Sequence, residues 1–85
     1  MSDQTYLDTL LLYYEEEIEG EAYFAELSQL FSQPDHKEKL TLLAKVESHA
    51  ANAIEPLLAR HGLQPRPRQT LTKSGRDQAR ATAAD

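Results

Sequence analysis

Residues 11–24 read LLYYEEEIEGEAYF. Five glutamates, Glu15, Glu16, Glu17, Glu19 and Glu21, fall within seven positions, flanked by residues that belong in a core. Working outward, Leu7, Leu10, Leu11, Tyr14, Ile18, Phe24, Ala25 and Phe31 recur at spacings of three and four, the period of a helix with one apolar side. The pattern predicts a first helix over residues 3–32, capped by Ser2 or Asp3 and ended by Pro34, which disfavours helix at the residue before it.

PDHKEKL, residues 34–40, opens a second helix. Asp35 with Glu38 three residues on resembles a capping box. Leu40, Leu43, Ala44, Ala50, Ala51, Ile54, Leu57 and Leu58 form its apolar series. Pro56 interrupts the series and should bend the helix locally. Gly62 fits the position after the C-cap, with Leu63 and Pro65 following it, so the second helix covers residues 35–61. Two long helices joined by a tight turn are antiparallel neighbours. The expected fold is therefore all-α: a helical hairpin over residues 1–63. Residues 64–85 form an extended basic tail, in which RDQARATAA has room for a short helix.

The charge is divided the same way. Residues 1–63 carry 12 acids and 4 bases, whereas residues 64–85 carry 2 acids and 5 bases, Arg66, Arg68, Lys73, Arg76 and Arg80. An acidic body with a basic arm is expected, the arm lying on acidic surface. The arm has no aromatic residue for stacking on bases, so nucleic acid is not an expected partner. There are no cysteines, which leaves oxygen and imidazole as the available metal ligands. No apolar run nears the roughly 20 residues of a membrane span, and the N-terminus lacks the blocks of a signal peptide. A soluble, cytoplasmic chain with no membrane partner is expected.

A hairpin of this size cannot bury both of its own apolar stripes. A homo-oligomer, most simply a dimer closing a four-helix bundle, is the expected solution. Leu12, Leu30 and Leu42 lie off the main stripes and suggest further association surfaces.

At about 100° per residue, Leu7, Leu10, Tyr14, Ile18, Phe24 and Ala25 fall within about 60° of Glu21. Glu17 falls about 40° from it, and Glu15, Glu16 and Glu19 lie outside the stripe, as solvated charges. In the second helix the apolar series brackets Glu47 in the same way. Counted from the turn, Glu21 and Glu47 stand at nearly the same height, so their carboxylates are expected to converge. Burying unpaired carboxylates costs several kcal/mol each. They must therefore take up protons, with raised pKa values, or bind cations, as carboxylates on facing helices do in bundle metal sites. Tyr14 is expected in the core, its hydroxyl within reach of a carboxylate. Gly20 either permits a close approach to its helix or a local bulge, or is a helix defect without consequence, at about 1 kcal/mol relative to alanine.

EIEGEAYFAEL and LAKVESHAANAIEPLL resemble the ferritin-like superfamily, the ferritin and rubrerythrin type of di-iron carboxylate proteins, over about residues 5–61. Glu21 matches the glutamate of that family's first helix and Glu47 that of its second. The resemblance implies a ferritin-like four-helix bundle, a di-iron site at a dimer interface, with manganese or another divalent metal as the alternative occupant, and ferroxidase or oxidase chemistry. The family's Glu-x-x-His is incomplete here, because Ala50 stands three residues after Glu47 and His49 points away. Glu17, level with Ala50 and Ala51, is the candidate to replace the missing ligand. The expected metal residues are thus Glu21, Glu47 and Glu17. The rival reading is a helical oligomerisation module without metal, its inward glutamates protonated or tied to tail arginines.

Overall fold

In a computed structural model, which describes residues 3–84, the chain is all-helical: α1 spans Asp3–Leu30, α2 Pro34–Arg60 and α3 Arg68–Ala84. The capping proposed for Ser2 lies outside the described residues. α1 and α2 form the expected antiparallel hairpin, and α3 packs along α1 but not along α2. The two long helices thus run side by side, with the third on the outer flank of the first.

The helix ends follow from local chemistry. α2 begins one residue earlier than expected, with Pro34 rather than Asp35 entering the first turn; Gln33 is the cap residue and supplies no side-chain bond. Proline suits that position because its fixed φ matches the helix and its missing N–H is not needed there. Asp35 is left as a first-turn acid, which favours the positive end of the helix. α2 continues through Pro56 and closes as the sequence indicates. Gly62 takes φ 67°, its N–H reaches the Ala59 carbonyl at 3.2 Å, and the Leu63 N–H reaches that of Leu58 at 2.9 Å. This pair of bonds is the Schellman closure.

The core is small. Tyr14, Ile18, Ala51, Leu58 and Leu71 form one buried cluster, with Leu10, Leu11, Ile54 and Leu63 packed against it. Leu71 belongs to the segment expected to be an extended tail. That expectation is corrected: residues 68–84 are a full helix, docked through Leu71, Gly75 and Ala79. The spacing of four puts these residues on one stripe, and two of the three are small enough to bring the helices close together. A Cβ at Gly75 would be 2.9 Å from the Ala22 Cβ and 3.0 Å from the Tyr23 nitrogen, and would overlap the Glu19 carbonyl oxygen. Only glycine permits this crossing. The short stripe is outnumbered by polar residues in the linear sequence, so it becomes visible as a packing surface only once α1 is in place.

Candidate functional site

The basic arm lies on the acidic body of its own chain. Arg66 meets Glu15 at 3.2 Å and Glu19 at 3.2 Å. Arg68 meets Glu21 at 3.4 Å and Glu55 at 3.5 Å, and Arg80 meets Glu26 at 3.1 Å. Ser74 and Gln78 donate further bonds to Glu19. The expectation that Glu15 and Glu19 are plain solvated charges is therefore corrected. They lie on the flank of α1 that α3 covers, and they hold the arm in place. Glu16 remains exposed, as the helical geometry indicated.

The three expected metal residues divide into two groups. Glu47 lies over Gly20, and a Cβ there would be 3.2 Å from the Glu47 carboxyl carbon. Of the roles open to Gly20, close approach is the one the packing uses. Glu17 stands beside Glu47. Its carboxyl is raised above the ordinary carboxylate range, first by burial and then by the charges of Glu47 and Glu16. One of its oxygens, Oε2, is buried without a hydrogen-bond partner among the described residues. Glu21 stands apart from this pair, turned toward α3 and its Arg68.

The hairpin sets Glu47 opposite Gly20 and Tyr14 against Glu55, the register that brings residues 21 and 47 level. Azimuth is what differs. α1 has two neighbours, so its apolar stripe is shared between them. Tyr14 and Glu17 turn to α2, whereas Ile18 and Ala22 lie toward α3, and Glu21 is at the boundary. The Tyr14 hydroxyl does bond a carboxylate, but that of Glu55, at 2.9 Å. Its pKa is raised, mainly by burial and next by Glu55. His49 is exposed; His36 and His61 make edge contacts to Phe31 and Tyr6.

The donor set within one chain is short of a metal site. Among the described residues, no group of three or more His, Cys, Asp or Glu side chains is placed to hold an ion. What one chain presents is a carboxylate pair, one oxygen of which is desolvated and unsatisfied. Both residues border the flank of the hairpin away from α3. Tyr13 and Gly20 lie there on α1, about 180° from Ala22. Leu43 and Val46 lie there on α2, exposed at 43% and 55%. No described helix is long and apolar enough to cross a membrane. Compared with models of protein families, with curated proteins and with solved structures, the chain finds no match.

Proposed function

We propose that this chain is half of a carboxylate metal-binding bundle, in which two copies bring their Glu17 and Glu47 pairs together around a divalent cation or a pair of them. The reading rests on the buried, unpartnered Glu17 oxygen beside Glu47. Such an oxygen costs about 1–3 kcal/mol or more if left unsatisfied, and a cation or a proton removes that cost. Two pairs give four carboxylates, the donor number and type that suit hard divalent cations. Within that set Glu17 and Glu47 bind, Ala50 and Ala51 leave room, and the buried Tyr14, one turn before Glu17, excludes water from below. Glu21, held by Arg68, is an auxiliary carboxylate. Iron is the metal that the ferritin-like resemblance suggests; when bound, a pair of iron ions supplies redox chemistry toward oxygen.

The second reading is a helical oligomerisation module in which Glu17 keeps a proton. The upward displacement of the Glu17 carboxyl favours it. Anaerobic iron(II) titration separates the two. Glu47→Ala and Glu17→Ala are expected to lose tight binding, Glu21→Ala to weaken it less, and Glu16→Ala to leave it unchanged. Equal affinity in the wild type and Glu47→Ala refutes metal binding here and leaves the interaction module.

A further inference from the structure

α2 carries two apolar stripes, and the hairpin uses one. Leu40, Ala44, Ala51 and Leu58 face α1, and the last three are buried. Leu43, Val46, Ala50, Ala53 and Leu57 follow a second line, at spacings of three, four, three and four, the repeat of a coiled-coil seam. Its centre lies about 115° around the helix from the first stripe. Leu43, Val46 and Ala53 are exposed and Ala50 and Leu57 half-exposed. α3 docks on α1 and leaves this line open.

The seam is close to a palindrome about Ser48. Leu43 and Ala53 stand five residues to either side of it, Val46 and Ala50 two, and Lys39 and Leu57 nine. In the first two pairs a larger residue is matched with a small one, and in the third a long aliphatic stem is matched with a leucine. At the ends stand Asp35 and Arg60, of opposite charge, within about 60° of the seam's centre. Neither has an ion pair or side-chain hydrogen bond to another described residue. Each also suits its own end of the helix dipole, but that alone does not require both to flank the seam.

We propose that a second copy of this chain docks antiparallel along this seam, with the two-fold axis crossing it at the level of residue 48. In an isologous contact, residue i meets residue j of the partner and j meets i. Leu43 then fills the space above the partner's Ala53, Val46 that above the partner's Ala50, and Asp35 meets the partner's Arg60 twice over. A parallel copy would set Leu43 against Leu43, Ala53 against Ala53 and each end charge against its like. A partner of unrelated sequence would have no need of the palindrome. Glu47 is one residue from the axis, on the α1 side of the seam, so both copies of Glu47 come to one side of it. This deepens the metal reading above by naming the face through which the second carboxylate pair arrives, but its test is separable.

The chain has no cysteine, so cross-linking can be placed at will. In the double variant Leu43→Cys/Ala53→Cys, mild oxidation is expected to yield a covalent dimer, and neither single variant should do so. Sedimentation equilibrium, with and without iron(II), is expected to show a dimer for the wild type. Val46→Glu, at an exposed position whose folding circular dichroism can verify, should weaken it at least a hundredfold. Asp35→Arg and Arg60→Asp should each weaken it about threefold to tenfold, as expected for exposed ion pairs used twice, and the two together should restore it. A monomer at about 100 μM under both conditions overturns the proposal. A dimer indifferent to Val46→Glu, or efficient cross-linking of the single variants, overturns it too. If the seam behaves as expected and iron(II) does not bind, only the metal reading fails. If iron binds and Val46→Glu changes nothing, only the seam fails.

Discussion

Gly75→Ala is expected to destabilise the protein, against what helix propensity alone implies. In an exposed helix interior the change would add about 1 kcal/mol of stability. Here the new methyl would overlap the Glu19 carbonyl oxygen and press on Ala22 and Tyr23. Two of these three contacts are backbone atoms of α1, which cannot move aside as a flexible side chain would. Overpacking of this kind costs about 1–3 kcal/mol. The loss is limited by what docking of α3 contributes: about 1.5–3 kcal/mol for fully burying Leu71, less for Ala79, and about 0.2–1 kcal/mol for each exposed ion pair of Arg66, Arg68 and Arg80. If the helices separate just enough to admit the methyl, the net loss is about 1–2 kcal/mol. For a domain of this size that is a fall in Tm of roughly 5–15 °C. Thermal unfolding followed by circular dichroism at one protein concentration measures it, with Arg76→Ala on the exposed side of α3 as control. A synthetic peptide of residues 64–85 should become more helical with the same change, which separates propensity from packing. A Gly75→Ala protein that melts at or above the wild-type temperature would show that α3 is not seated on α1 through this stripe.

Two further outcomes follow from the buried polar groups. The Glu17 carboxyl is raised in the folded chain, so its contribution to stability is fully present below the unfolded carboxylate pKa and is lost as pH rises through the folded value. In metal-free buffer Glu17→Gln should accordingly be more stable than the wild type at pH 7, with the gap closing as pH falls toward the ordinary glutamate range of about 4.3; a gap that stays constant with pH would mean that Glu17 is not desolvated. Tyr14→Phe removes the 2.9 Å bond to Glu55 and should cost about 0.5–1.5 kcal/mol; because burial raises the Tyr14 hydroxyl, it should also remove the highest-pH part of the tyrosine absorbance titration.

The helix periods, the turn at Pro34 and the closure at Gly62 could all be read from the linear sequence, because each rests on contacts within a few residues. So could the level pairing of the two helices, since a short turn between helices of equal rise leaves little freedom along their axes. The inward turn of Glu17 was also open to reading, because the first helix had one apolar side with that residue at its edge; Gly20 was legible only as an interruption, its place under Glu47 being set by the second helix. Which glutamate meets Glu47 was not. Azimuth depends on how many neighbours a helix has, and α1 has two. The second neighbour was hidden because Leu71, Gly75 and Ala79 bury little surface individually, and they form a docking face only against the small Ala22 and the backbone beside it. Once α3 is seated there, Glu15, Glu19, Glu21 and Glu26 become its anchors, and Glu17 and Glu47 are left together on the other side of α1. Tertiary packing alone decided that division, since an arginine selects among neighbouring carboxylates by distance.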